Sequence, residues 1–313
     1  MISTVAWLYH MRGLRQSAIA ERLNISQSKV SRLLEQAVDA GIVRTEVVLP
    51  PDEQSVLETE LESAYGLRES HVYDIGRAPD ESQLIHELGQ LLALRMQSIA
   101  SDAGVMGFTS WSRTLQEAVR QLRPLGQFST QYVVETVGDL GPPTFQHLAA
   151  QTTQQLADLT GGEPMFLRVP GVVASLEVKQ TMLDHDKYAR ATLKKLDELD
   201  FALVGIGSGE INPSLRAGDN FFTAEQVAQA KRLGAVGEVD LRYIGYDGEP
   251  VPTDFDELIV GVTLEQLRRA DRRWGVAGGP SKYRAIRAAL VGGWINTLVT
   301  DSLTAQWLLA HRG

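Results

Sequence analysis

From residue 66 onward, short runs rich in β-branched and aromatic residues alternate with longer stretches of helical spacing. This rhythm constrains the fold more than any other feature. The runs are HVYDIG, GVMGF, YVVETVG, MFLRVP, FALVGIG, LRYIGYDG, LIVGVT, WGVAGG and NTLVTD. Helices are read between them at 81–98, 112–122, 145–159, 180–198, 223–232 and 281–290. Strands followed by helices in this order predict an α/β domain over 66–313 with a mostly parallel sheet. The chain shows no internal repeat and no low-complexity segment.

The first fifty residues have a different texture. Residues 2–12 read as a helix with Val5, Leu8 and Tyr9 on one side, stopped by Gly13. A second helix, RQSAIAERLNI, turns Ala18, Ile19 and Leu23 inward, and Ser26 is placed to cap a third, SQSKVSRLLEQAVDAGIV. That third segment carries an apolar stripe of Val30, Leu33, Leu34, Ala37 and Val38. Its first turns are short and polar: Ser26, Gln27, Ser28, Lys29, Ser31 and Arg32. IVRTEVVL then reads as a strand or wing, and Pro50-Pro51 closes the module. Three helices with a tight turn before the third make a helix-turn-helix, whose third helix enters the major groove. Gln reads adenine, Arg reads guanine, and Ser and Lys hold phosphates. Gln16 and Ser17, at the start of the second helix, belong to the same candidate DNA surface. A three-helix protein-interaction module is the competing reading. Residues 51–65, with the acidic run DEQSVLETELESAY, read as a linker helix that helps subunits pair.

Charge agrees with a basic head on an acidic body. The formal net charge is −9, yet residues 1–50 carry six bases against four acids. An acidic chain does not coat nucleic acid indiscriminately. There is no cysteine, which excludes disulfides and thiolate chemistry. With no long apolar run and no charged-then-apolar leader, a soluble cytoplasmic protein is expected, with no membrane partner.

In open parallel sheets, ligands collect where strand C-termini meet helix N-termini. Three loops fit. GFTSWSRTL, residues 107–115, offers Ser110, Ser112, Arg113 and Thr114 for a phosphate or sugar hydroxyls. GIGSGEINPSLRAGDN, residues 205–220, is a weak dinucleotide signal, since no G-x-G-x-x-G opens a helix, but a reasonable ligand wall. AGGPSKYRAIRAAL, residues 277–290, places Lys282 in a first helical turn, where a cation opposes the dipole unless an anion offsets it. Glu238 and Asp301 stand at strand ends, where a carboxylate suits sugar hydroxyls or merely caps.

Catalytic signals are thin, and neither cofactor nor metal is expected. The six histidines show no paired-ligand spacing, and DHDKY at His185 is more simply a solvated face. Nucleophile-elbow and Walker motifs are missing from the sequence. The chain has no lysine between Lys29 and Lys179, which excludes a Schiff base in the first half of the α/β domain.

The ordered series QSAIAERLNISQSKVSRLLEQAVDAGIV, SWSRTL, PGVVAS, ALVGIGS, PSLRAGDN, GAVGEVDLRYIGYDGEPV, GVTLEQLRR and VAGGPSKYRAIRAALVGGWINTLVTDSLTA resembles the SorC-type (SorC/DeoR) sugar-binding regulators of bacteria. The resemblance runs over nearly the whole chain. It implies a helix-turn-helix or winged head on double-stranded operator DNA. It also implies an effector domain similar in fold to ribose-5-phosphate isomerase and glucosamine-6-phosphate deaminase. That domain binds a sugar, usually phosphorylated, without turning it over, and members assemble as tetramers or dimers of dimers. Matching motifs carry the effector site onto Ser110, Ser112, Arg113, Thr114, Asn220, Glu238 and Lys282, with Asp301 beside them. Some relatives bind their sugar through a lysine where this chain has VGDLG, so reversible binding is expected. Asp139 stands where many members have a second glycine, and an inward aspartate would repel a phosphate.

The leading expectation is therefore a DNA-binding transcriptional regulator controlled by a carbohydrate effector of a catabolic operon, whether a sugar, a polyol or a sugar phosphate. A sugar-phosphate isomerase or deaminase with an appended DNA-binding head is the alternative, with Glu238 as its base but no evident acid–base pair.

Overall fold

The computed structural model describes residues 1–43, 53–75, 80–98, 101–125, 128–210, 215 and 219–312. The chain divides into two compact units, Met1–Pro51 and Asp52–Gly313.

In the first unit, helix α1 (Ile2–Ala6) runs on through a wider π turn, Trp7–Met11, to Gly13 at φ +63°. Helix α2 spans Gln16–Leu23 and α3 spans Gln27–Asp39. Asn24 takes a left-handed conformation that ends α2, which Asn tolerates better than most residues. The Ser26 hydroxyl then caps α3 by accepting the Lys29 amide. Val5, Leu8, Ile19, Ala20, Val30 and Leu33 form the core, with Leu23 and Leu34 against it. Three expected core residues lie elsewhere: Tyr9, Ala18 and Val38 are exposed. The inward stripes are narrower because three short helices bury only a narrow face each. The wing read over 42–49 lies outside the described residues from 44 onward, as does Pro50-Pro51.

The second unit contains helices α4 (Glu53–Tyr65), α5 (Glu81–Ser98), α6 (Arg113–Gln121), α7 (Pro143–Thr160), α8 (Leu176–His185), α9 (Lys187–Lys195), α10 (Ala224–Arg232), α11 (Leu264–Arg269), α12 (Tyr283–Val291) and α13 (Ser302–Ala310). Its strands are β1 (Glu69–Tyr73), β2 (Ser101–Phe108), β3 (Phe128–Glu135), β4 (Glu163–Met165), β5 (Phe201–Gly207), β6 (Ala235–Val239), β7 (Arg242–Gly245), β8 (Arg272–Val276) and β9 (Thr297–Asp301). Seven run parallel in the order β1-β9-β8-β5-β2-β3-β4. The β6–β7 hairpin adds antiparallel to the C-terminal end of β5, pairing Ile206 with Val239 and Gly207 with Glu238.

Central β5 is buried on both faces, as its nearly unbroken apolar run requires. Phe201 and Leu203 point into one core with Leu88, Phe108 and Leu115. Ala202, Val204 and Ile206 point into the other with Leu61, Val72 and Leu308. Edge strand β1 alternates instead.

Some local readings change. LIVGVT is not a strand: Ile259 and Gly261 make only isolated bridges, to Val172 and Val137. The expected helix 180–198 is two helices, because the Asp186 carboxylate accepts the Tyr188 and Ala189 amides and starts α9. His185 meanwhile contacts the Thr181 carbonyl, and no group of His, Asp and Glu among the described residues is arranged for a metal. The expected linker helix is built into the second unit as α4: Leu61 is fully buried, and α4 packs on β1 and α13. Among the described residues, no helix is long and apolar enough to cross a membrane.

Candidate functional site

The strand order reverses between β2 and β5: β3 and β4 extend to one side, β8 and β9 to the other. At such a switch point the loops leaving two adjacent strands diverge and open a crevice. A cavity of about 600 Å³ lies there, within the range of small-molecule sites. It is walled by 111–114 after β2, 205–210 at and beyond the end of β5, and 278–282 after β8. Glu81 of α5 and Glu238 of β6 complete its polar lining, while Leu84, Leu88, Phe221, Phe222 and Tyr243 make an apolar side.

The wall after β2 is fixed locally. Gln116 donates to the Ser110 carbonyl at 2.8 Å, and the Ser112 hydroxyl caps α6 by accepting the Leu115 amide. The amides that begin α6 thus face the crevice end of the sheet, and Arg113 forms an ion pair with Glu81. Gly207 lets the hairpin approach: a Cβ there would stand 1.8 Å from Glu238 Oε1.

Glu238 is held from its own turn. Its Oε2 accepts the Leu241 amide at 2.7 Å. Burial pushes its carboxyl up to about 7; Asp240 adds to the shift, while the Leu241 amide and Lys282 oppose it. Asp240, fully buried, accepts the Thr109 and Thr136 hydroxyls at 2.8 Å each, tying the hairpin to the ends of β2 and β3. Burial raises it to about 6 against those two hydrogen bonds. Lys282 closes the turn ahead of α12. Burial lowers its ammonium, Glu238 and Glu81 resist this, and Arg113 adds to it. Among the described residues its ammonium makes no hydrogen bond or ion pair, whereas Glu210 is paired with Lys231.

Of the eight residues expected at an effector, Ser112, Arg113, Thr114, Glu238 and Lys282 line this cavity. Three do not. Ser110 is buried beneath the turn and contributes its carbonyl to Gln116. Asn220 donates to the Gly141 carbonyl at 3.2 Å. Asp301 is buried as the cap of α13, accepting the Thr304 amide at 2.8 Å and the Gly279 amide at 3.0 Å. Asp139 also lies off the cavity, paired with Arg168 at 2.9 Å. Sequence reasoning missed Glu81, Glu210, Tyr243 and the phenylalanines. Glu81 carried a signal as an acid in the first turn of a helix, and Glu210 lay within the 205–220 loop read as a ligand wall.

In the first unit, Ser17, Ser26, Gln27, Ser28, Lys29 and Arg32 are exposed, and Gln16 and Ser31 partly so. Ser26 also shares a hydrogen bond with Ser28 at 3.0 Å. Lys29 and Arg32 form no ion pair with another described residue, leaving a polar, cationic start to α3. Its opposite face is the buried Val30, Leu33 and Ala37.

Comparison with known proteins places this architecture. The family model described as "Putative sugar-binding domain" matches residues 50–310. The deoxyribonucleoside regulator of Bacillus subtilis is 31% identical over 305 residues, covering 97% of this chain and 95% of that protein. The sorbitol operon regulator of Klebsiella pneumoniae is 29% identical over 316 residues, covering 99% and 97%. The crystal structure of that full-length regulator, SorC, superposes with a TM-score of 0.81 at 27% identity over 98% of this chain and 97% of the other. The chain belongs to the sugar-binding family of SorC/DeoR-type transcriptional regulators.

Proposed function

We propose that the chain is a DNA-binding transcriptional regulator of a catabolic operon, controlled by a small carbohydrate effector held in the switch-point cavity. The N-terminal unit is the helix-turn-helix, with α3 as recognition helix: Gln27 and Arg32 read base edges, while Gln16, Ser17, Ser26, Ser28, Lys29 and Ser31 hold the backbone. The protein works in the cytoplasm as a homo-oligomer, a tetramer or dimer of dimers on paired operator sites. Family membership along nearly the full length supports this reading.

The effector is a sugar or polyol phosphate. The observation that carries this is Lys282, a cavity-lining ammonium without an ion-pair partner among the described residues. The amides opening α6 complement it as an anion site. Glu238, poised near neutral pH, takes the sugar hydroxyls as donor or acceptor and becomes protonated beside an anionic ligand. Ser112, Arg113 and Thr114 complete the set, and Asp139, paired elsewhere, does not oppose a phosphate. Isothermal titration of the full chain with sorbitol 6-phosphate and 2-deoxyribose 5-phosphate, against the parent polyol and sugar, tests this. Heat from a phosphate ester and none from its parent is expected. Binding of the parent alone overturns the assignment.

A carboxyl poised near 7 beside a cation is also equipment for proton abstraction next to a carbonyl. Incubation with ribose 5-phosphate and glucosamine 6-phosphate is expected to show no turnover. Conversion of either would revive an isomerase or deaminase reading.

A further inference from the structure

One wall of the cavity is bonded to a cap rather than left as a free loop. Gly278 and Gly279 line the cavity, and the Gly279 amide donates to both Asp301 Oδ2 at 3.0 Å and Thr304 Oγ1 at 2.9 Å. The two acceptors are themselves joined, Thr304 Oγ1 to Asp301 Oδ2, at 2.6 Å. The other carboxylate oxygen, Oδ1, accepts the Thr304 amide and starts α13. Asp301 and Thr304 are both buried, and a Cβ at Gly278 would stand 2.2 Å from Asp301 Oδ2. The loop and the helix cap therefore share one carboxylate, and neither shifts without disturbing the other.

The far end of α13 grips α4. Tyr65 Oη donates to the Leu308 carbonyl at 2.8 Å, Arg312 pairs with Glu60 at 3.5 Å, and Leu61 sits in one core with Ala305 and Leu308. Helix α4 in turn closes the sheet edge. Glu62 accepts the Ser70 amide and Glu58 the Val72 amide, each at 2.8 Å, on the side of β1 away from β9, where no strand among the described residues pairs with it. In chain order, α4 follows directly on the first unit, Met1–Pro51.

We propose that Asp301 and Thr304 are positioning residues that pass the state of the Gly278–Gly279 wall through α13 to α4, the segment that continues into the DNA-binding unit. Neither touches the effector. They register a ligand drawing on the glycine loop as a change in the α13 cap, and the packed α13–α4 pair carries it onward. This rests on the effector reading above, and it reassigns Asp301 from ligand contact to coupling residue.

Hydrogen exchange on the full chain tests the link. Asp301→Asn places an amide NH2 against one of the donors that the carboxylate now accepts. Exchange in residues 53–65 is expected to rise about tenfold, with β2 and β5 unchanged. Ser302→Ala serves as control: it removes a different bond in the same turn, to Asp74, and should leave 53–65 at the wild-type rate. A rise confined to 302–310, or an equal rise in 53–65 with Ser302→Ala, overturns the proposal. Should Asp301→Asn fail to fold, Tyr65→Phe probes the link from the other end. Faster exchange at 278–282 supports coupling, since coupling is reciprocal, and an unchanged rate overturns it.

Inorganic phosphate provides the ligand arm. In wild type it should slow exchange at 278–282 and alter exchange at 53–65, whereas in Thr304→Val only 278–282 should respond. Protection of 278–282 with no change at 53–65 in wild type contradicts the link. If phosphate protects neither segment, the phosphate-ester reading fails, while the variant comparison stands on its own result.

Discussion

Glu238 and Leu241 are bonded across a turn of unusual handedness: the Leu241 amide donates to Glu238 Oε2 at 2.7 Å, with Asp240 at φ +49° and Leu241 at φ +66°. Two consecutive left-handed residues make the two-residue hairpin turn whose twist matches its strands. A buried leucine in that conformation is costly, of the order of 1–2 kcal/mol. The strain is held by burial of Leu241 among Phe222, Tyr243 and Phe255. The turn places one carboxylate oxygen on an amide and leaves Oε1 beside Gly207 at the cavity.

Gly207→Ala should expel that carboxylate. The added methyl would overlap Glu238 Oε1, and overpacking of this kind costs roughly 1–3 kcal/mol. Thermal unfolding is expected a few degrees below wild type. Effector binding, followed by calorimetry, should be lost while operator binding survives. Retained effector affinity would show that Glu238 has no part in the site.

Glu238 and Asp240 should contribute stability that falls as pH rises towards neutrality. His71 contributes in the opposite direction, because burial lowers its imidazole to about 4. The Glu238 carboxyl is raised from 4.5 to about 7 and Asp240 from 3.8 to about 6, both by burial first. These two carboxyls therefore hold protons in the folded state that the unfolded chain has lost between about pH 4 and 7, and their contribution to stability declines as pH rises through that window. At about 1.4 kcal/mol for each tenfold change in proton affinity, the two carboxyls together contribute a decline of at most about 6 kcal/mol. Glu238→Gln should remove the upper part, above about pH 6, in urea unfolding measured across pH. An identical pH profile in the variant would place the titration elsewhere.

Lys282→Ala should weaken a phosphate ester by roughly 1.5–3 kcal/mol, the usual worth of a hydrogen bond to a charged group. Affinity for the unphosphorylated parent should barely change. Fold stability should hold or rise slightly, because the half-buried ammonium has no ion-pair partner among the described residues. Equal losses for both ligands would mean that Lys282 shapes the cavity rather than meeting the phosphate.

Arg32→Ala should cost roughly 1–3 kcal/mol of specific operator binding if the guanidinium reads a base, and should relax preference at one position. Ser26→Ala should instead cost about 1 kcal/mol of stability in the first unit, through the lost cap of α3. Fluorescence anisotropy and thermal melts separate the two. An Arg32 variant with unchanged operator affinity would move recognition to other residues.

Much of this was legible because it is local. The strand–helix rhythm forecast the parallel sheet, and helix 81–98 stands at Glu81–Ser98. The Ser26 cap followed from one side chain and its neighbours. The three loops at strand ends were legible because crossover topology brings strand C-termini to one end of the sheet. Asp301 was ambiguous for the opposite reason. A carboxylate at a strand end can face the cavity or its own helix, and only the β8–β9 pairing that brings Gly279 beside it decides. Phe222 and Tyr243 were not singled out: Phe222 precedes α10 in a stretch with no periodic pattern, and Tyr243 was read within a strand, whose cavity-facing side only the β6–β7 pairing reveals. Val38 misled by extending an apolar stripe past the point where the small unit has a core to offer.

The most direct measurement is a titration of the DNA upstream of this chain's own coding region, with and without sugar and polyol phosphates. The account predicts specific, salt-sensitive binding whose affinity one phosphate ester changes and its parent sugar does not. Specific binding that no such compound alters, or no specific binding at all, would contradict it.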